Sequence, residues 1–148
     1  MKSYKIHFIR HGAIEDTLNG VYIGTTDAPL SDEGKRQLKL MDHNMDYPYA
    51  QVLFTSPLKR CKETCKIIYS HMEPIVIDQL IECNFGEWEG HTIEELSEKY
   101  GRAYTDFFKD PFDHPVPGEG SFQNAMDRAI EGFNILAERH KGQNVAII

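Results

Sequence analysis

Apolar and polar positions along the chain alternate between short β-rich runs and longer stretches with helical spacing. YKIHFI, residues 4 to 9, is β-rich and stops at Arg10-His11-Gly12, the pattern of a strand entering a tight loop. Lacking a Cβ, Gly12 lets the backbone turn sharply there or approach a ligand closely. The run from 19 to 30, NGVYIGTTDAPL, is turn-rich, with Gly20, Gly24 and Pro29. Ser31 predicts an N-cap opening a helix over 32 to 43, with Gly34 weakening its first turn. VLFT, 52 to 55, reads as a second strand; Ser56 as cap and Pro57 at the first position then open a helix over 57 to 70. Leu58, Cys61, Cys65 and Ile68 give that helix a buried face. IVI, 75 to 77, is a third short strand, followed by the long connection ECNFGEWEGHT.

Thr92 with Glu95 forms a capping box ahead of a short helix to about Tyr100. Residues 104 to 120, YTDFFKDPFDHPVPGEG, are aromatic and rich in Pro and Gly. Ser121 predicts the cap of the longest helix, 122 to 140, whose apolar side is Phe122, Ala125, Met126, Ala129, Phe133, Leu136 and Ala137. Gly142 ends it, and NVAII, 144 to 148, is a last strand. Strands alternating with helices predict an α/β fold, a three-layer sandwich with a mostly parallel central sheet flanked by helices. In such sheets ligands bind beyond the carboxyl ends of the strands. His11 and Ser56 follow two of those ends and Glu82 comes soon after a third, so three loops converge on one crevice.

Composition narrows the setting. A chain of 148 residues fits one domain with a real core, and 41% hydrophobic against 26% charged residues is ordinary for a globular protein. The net charge of −7 disfavours nucleic acid and anionic membranes as partners but leaves room for a locally basic pocket. The apolar part of MKSYKIHFIR is too short for a signal peptide, and no run reaches the ~20 apolar residues of a membrane span. With no export signal, the odd set Cys61, Cys65 and Cys83 reads as reduced thiols, which predicts a cytoplasmic protein. Cys61 and Cys65 share a helix face, where core packing is favoured over metal binding, since the histidines do not cluster at ligand spacings. His7, inside the first strand, reads as a packed or surface residue.

Arg10 and Arg60 are fixed-charge forks suited to phosphate or carboxylate oxygens, and Arg60 falls near a helix N-terminus. Between them His11 is a candidate nucleophile, base or hydrogen-bond donor, because its neutral imidazole is available near neutral pH. Glu82 is the nearest candidate acid/base if it is partly shielded. Each has a plainer reading: surface arginines, a structural histidine, and one glutamate among Glu87, Glu89, Glu94 and Glu95.

Together these motifs resemble the histidine phosphatase superfamily, also called phosphoglycerate mutase-like. Arg10-His11-Gly12 after the first strand looks like its Arg-His-Gly signature, TSPLKRC (55 to 61) like the segment carrying its phosphate-binding arginine, and IECNFGEWEG (81 to 90) like its glutamate segment. GTTDAPLSDEG (24 to 34) also matches in order and spacing, so the resemblance spans essentially the whole chain. It implies a ping-pong mechanism through a phosphohistidine at His11, with Glu82 as acid and then base and with Arg10 and Arg60 stabilising the transferring oxygens. Arg10, Arg60, Thr17, Gly24 and Thr25 are the implied substrate-binding residues. No metal or organic cofactor is implied; the implied partner is a small-molecule phosphomonoester, with no nucleic acid and no membrane, and the protein would be a monomer or homodimer.

Departures accompany the resemblance. Ile14 stands where the family commonly has a Ser or Thr, while Thr17 can still donate; Val21 stands where an arginine is frequent. The family's last strand runs at once into Ser-His-Gly or Thr-His-Gly. NVAII looks like that strand, so residues 1 to 148 would be a partial histidine phosphatase domain without the final His-Gly loop and closing helix. Only about thirty residues separate Gly90 from Gly118-Glu119-Gly120-Ser121, shorter than the insertion usual in phosphoglycerate mutases. This and YIGTTDAPLSDEG resemble the small phosphatases, including α-ribazole phosphatase of cobalamin assembly. The expected activity is phosphomonoester hydrolysis; the alternatives are mutase-type phosphoryl transfer and non-catalytic binding of a phosphate or phosphoprotein. Tyr104, Phe107, Phe108 and Phe112 either line the leaving-group side of the pocket or pack as a loop against the sheet, and Phe85 and Trp88 are read as packing residues that hold Glu82.

Overall fold

The strand patterns assemble into one parallel sheet. In the computed structural model, which describes residues 3–44, 47–118 and 122–148, strands β1 (Ile6–Phe8), β2 (Val52–Thr55), β3 (Ile75–Val76) and β4 (Val145–Ile147) lie in the order β1-β4-β2-β3. β4 is buried along its length between β1 and β2, with Ala146 opposite both His7 and Leu53. Side chains alternate across the sheet as a two-residue period requires. Leu53, Ala146 and Ile148 pack with Leu38, Leu58, Cys61, Cys65 and Ile68, from helices α2 (Asp32–Asn44) and α3 (Lys59–Ile68) and the turn before α3. Phe54, Val145 and Ile147 pack on the other face with Ile77 and with Leu136 and Phe133 of helix α6 (Phe122–Arg139). This is the three-layer sandwich expected. Because β4 sits between β1 and β2, the loops leaving those two strands part around it, the place where such sheets bind ligands.

Helix starts follow local chemistry. Ser31 caps α2, its Oγ accepting from the Gly34 amide at 2.9 Å. Thr92 and Glu95 form both arms of the capping box on α4 (Ile93–Tyr100). The expected start of α3 is corrected. The helix begins at Lys59, Leu58 is its N-cap with no side-chain cap, and Ser56 and Pro57 precede it. The Ser56 amide donates to Ile148 O at 2.9 Å, so the chain is still on the sheet at position 56 and needs two more residues to turn. The first and third strands are also shorter than their β-rich runs.

The segment expected as an aromatic connection holds a helix, α5 (Arg102–Lys109); its prolines and the remaining glycines all come later. Tyr104 and Phe107, one turn apart, are buried against Trp88, Leu96 and Val116 in a cluster away from the sheet. A further short helix, α1 (Glu15–Leu18), follows the first loop. The expected Ser121 cap of α6 lies outside the described residues. On α6, Leu136 is buried, whereas Phe122, Met126 and Ile130 remain exposed. No helix of the described residues is long and apolar enough to cross a membrane.

Candidate active site

Loops after β1, β2 and β3 meet over a cleft of about 540 Å³ lined by Arg10, His11, Ser56, Arg60, Glu82 and Cys83 among others. The four residues expected at the catalytic centre, Arg10, His11, Arg60 and Glu82, therefore share one space.

The His11 loop is fixed from two sides. The Gly12 amide donates to Thr64 Oγ1 at 3.1 Å, and that hydroxyl donates to Arg60 O at 2.7 Å, tying the loop to α3. Ser31 donates to Ala13 O through its amide and its hydroxyl, tying the loop to α2. Gly34 makes this possible: a Cβ there would stand 2.1 Å from Ala13 O. His11 itself is half-buried, and its Nδ1 lies 2.7 Å from Gly12 O. A carbonyl only accepts, so Nδ1 carries the proton and Nε2 holds the free lone pair. Burial, foremost, lowers the His11 pKa from its ordinary value; the Arg60 and Arg10 charges add to this, and the Gly12 carbonyl and Glu82 oppose it. The ring is thus neutral at pH 7.

Arg60 is the most buried charge in the site, 1% exposed. Its Nη2 donates to Gly24 O at 2.7 Å and its Nη1 to Thr26 O at 3.0 Å, while Nε finds no partner among the described residues. An orphaned buried donor costs about 1–3 kcal/mol. Nε is itself sealed from solvent, so what Arg60 brings to the cleft wall is a fixed, buried positive charge suited to an anion.

The remaining expected binding residues stand elsewhere. Gly24 and Thr25 lie behind Arg60: Gly24 supplies a carbonyl to it, and both donors of Thr25 go to Glu89, at 2.8 and 3.0 Å. Thr17 lines an adjacent hollow, and its hydroxyl donates to Ile14 O at 3.0 Å. Ile14 is a core residue, 1% exposed. Of the aromatic stretch, Tyr104 and Phe107 pack in the Trp88 cluster, Phe108 and Phe112 are exposed, and none of the four lines the cleft. This corrects both alternatives: they neither line the leaving-group side of this cleft nor pack as a loop against the sheet.

Three supporting residues escaped the sequence reading: Thr64, Glu89 and Arg128. Glu89 accepts from the amides of Thr25, Thr26 and Phe85 and from both threonine hydroxyls, joining the 24–26 loop to the segment after Glu82. Gly24 allows the contact, since a Cβ on it would meet Cys83 O at 2.0 Å. Glu82 itself accepts from the Cys83 amide at 2.8 Å and is exposed, without the partial shielding expected of it as an acid/base. Behind it, Arg128 of α6 donates to Gln79 O at 2.9 Å and to Glu82 O at 3.3 Å, and Gly132 lets α6 approach that segment. All three residues bond to partners distant in sequence or to backbone, which no local motif announces.

Burial of the Glu89 carboxyl opposes its ionisation, but the hydrogen bonds from Thr26, Thr25 and Phe85 outweigh this and hold its pKa below the ordinary glutamate value. A carboxylate lowered in this way adds stability that is fully present above its unfolded pKa and is lost as pH falls through the lower folded one. Glu89→Gln is expected to cost about 1–2 kcal/mol at pH 7, a figure discounted for partial exposure, and to flatten the loss of stability below pH 4.5. Urea midpoints measured from pH 7 down to pH 3 test this. Identical acid limbs in both proteins would contradict it.

Among the described residues, no group of three His, Cys, Asp or Glu is placed to hold a metal ion. Cys61 and Cys65 are free and buried, and burial pushes the Cys65 thiol up to about 11.

Comparison with known proteins agrees with this fold. The chain is 31% identical to Phosphoserine phosphatase 1 of Hydrogenobacter thermophilus, over 97% of this chain and 69% of that protein. It is 25% identical to Adenosylcobalamin/alpha-ribazole phosphatase of Escherichia coli, over 97% of this chain and 72% of that one. Among solved structures, a mutant phosphoserine phosphatase of Entamoeba histolytica in complex with phosphoserine aligns with a TM-score of 0.82 at 25% identity, covering 98% of this chain and 73% of its own. The chain thus spans roughly seven-tenths of these relatives, and phosphoserine and α-ribazole phosphatases both stand among them. The model of the histidine phosphatase superfamily (branch 1) matches residues 6–148, and the chain belongs to that family.

Proposed function

We propose that the protein hydrolyses phosphomonoesters through a phosphohistidine at His11. The observation that carries the reading is the pairing, at one cleft, of a neutral His11 whose Nδ1–H is held by Gly12 O with the buried guanidinium charge of Arg60. His11 Nε2 attacks phosphorus as the ester P–O bond breaks, and the Glu82 carboxylic acid gives its proton to the leaving oxygen. Water then attacks the phosphohistidine, the Glu82 carboxylate takes its proton, and the P–N bond breaks to release phosphate and neutral His11. Arg10 and Arg60 stabilise the equatorial oxygens in both steps. The short segment between Gly90 and Gly118 favours water over a returning hydroxyl as acceptor. Within this class α-ribazole 5'-phosphate is the single substrate we would name, supported by the α-ribazole phosphatases among the relatives. The protein would act in the cytoplasm.

Glu82→Gln tests the reading through leaving-group dependence. In a single turnover, phosphorylation by an alkyl phosphate, which needs the acid, should slow by about 10²–10⁴-fold. Phosphorylation by 4-nitrophenyl phosphate, whose leaving group departs unprotonated, should slow far less. Equal losses for the two esters would remove Glu82 from the role of acid. Formation of 2-phosphoglycerate from 3-phosphoglycerate faster than phosphate release would favour a mutase instead.

A further inference from the structure

We propose that the hollow beside Arg10 and Glu82 is the seat of the leaving group, and that it selects esters of aromatic or otherwise uncharged alcohols. The proposal rests on the phosphatase reading above. The hollow, about 320 Å³, shares Arg10 and Glu82 with the main cleft but not His11. In an in-line displacement the nucleophile and the leaving oxygen stand on opposite sides of phosphorus. With His11 attacking from the cleft and Glu82 protonating the departing oxygen, the alcohol lies past Glu82, where this hollow opens.

Its walls are apolar and already built. Val21, Tyr22 and Ile23 come from the loop before Gly24, Phe85 from the segment after Glu82, and Ile93 from the start of α4. Val21 bridges Thr92, while the Tyr22 amide donates to His91 O at 2.9 Å and Tyr22 O accepts from the Gly90 amide at 3.0 Å. The wall is therefore fixed before any ligand arrives. Tyr22 also packs edge-on against Phe85, with ring centroids 5.6 Å apart.

The polar tips at the hollow are engaged: Tyr22 Oη pairs with Tyr104 Oη at 3.1 Å, and Thr17 Oγ1 donates to Ile14 O. Arg10 and Glu82 are the charged residues among those lining it, and both have work at the phosphoryl group and the leaving oxygen. A carboxylate or ammonium on the alcohol would lose water and find no partner. An aromatic ring would instead cover apolar surface such as Ile93, 47% exposed.

The test is equilibrium binding of three phosphonates to the full-length protein by calorimetry: methylphosphonate as the reference, benzylphosphonate, and 3-phosphonopropionate. Taken relative to methylphosphonate in the same protein, benzylphosphonate is expected to bind about tenfold tighter than the carboxylate-tailed probe. Val21→Lys should narrow or reverse that preference; Ile93→Lys, at an exposed position, repeats the test if the first variant does not fold. Methylphosphonate binding with equal affinity for both tails, or a preference unmoved by the lysine, would overturn the apolar seat alone. Binding of none of the three would overturn the seat and the phosphatase reading together.

Discussion

Alanine in place of His11 is expected to lower phosphate release from every phosphomonoester the protein turns over by about 10⁴-fold or more, with little change in stability. The activity loss follows from the chemistry: of the other nucleophiles lining the cleft, the thiols of Cys61 and Cys83 are pushed up by burial and stay protonated, and the buried Ser56 hydroxyl is turned to the Leu58 amide at 3.5 Å. The small stability change follows from what the ring touches. His11 is half-buried, and its hydrogen bond goes to the adjacent residue's carbonyl, so its removal should cost about 1 kcal/mol or less. Phosphate release assays and a urea midpoint on the same preparations separate the two effects. A variant that keeps a tenth of the parent's rate would exclude His11 as the group that accepts phosphate.

Arg60 should show the opposite profile, losing fold and function together. Arg60→Met removes the donors to Gly24 O and Thr26 O; Thr26 O keeps the Ala28 amide at 3.0 Å, but Gly24 O is left unpaired beneath the site, a loss of about 2–3 kcal/mol. Arg60→Lys is the informative companion. Lysine's ammonium is a compact point charge without the planar fork that reaches Gly24 O and Thr26 O together, so even a well-folded lysine variant should lose about 10²–10³-fold in kcat/KM. The loss should fall on kcat if Arg60 meets the phosphoryl oxygens chiefly in the transition state. Parent kinetics from Arg60→Lys would mean that the guanidinium fork is not what the transferring oxygens require.

Residue order carries much of this arrangement and misses the rest for identifiable reasons. His11 and Glu82 were readable because each follows the end of a β-rich run, and Arg60 because it sits one residue into a helix that follows one. The buried face of α3, the cap at Ser31 and the capping box at Thr92 are readable because they are local, whereas the apolar side expected for α6 is buried only in part, with Phe122 and Met126 exposed. The start of α3 was not, because whether Ser56 caps a helix or stays on the sheet is decided by Ile148, far along the chain. Helix α5 was hidden by the prolines that follow it, and it forms because Tyr104 and Phe107 find Trp88. The motif containing Gly24 and Thr25 was recognised, yet these residues hold Arg60 and Glu89 rather than line the cleft. Glu89 looked like one carboxylate among many until its five donors came together from both sides of the site.

The most direct test of the central claim is to trap the intermediate. The protein would be mixed with a fast-leaving ester such as 4-nitrophenyl phosphate, quenched in alkali, which preserves P–N bonds, and digested for mass spectrometry. A phosphoryl group on the peptide carrying His11, formed at the rate of the burst and absent from His11→Ala, is the result predicted here. Steady phosphate release with no phosphoryl group on the chain, or with one on a different residue, would contradict it.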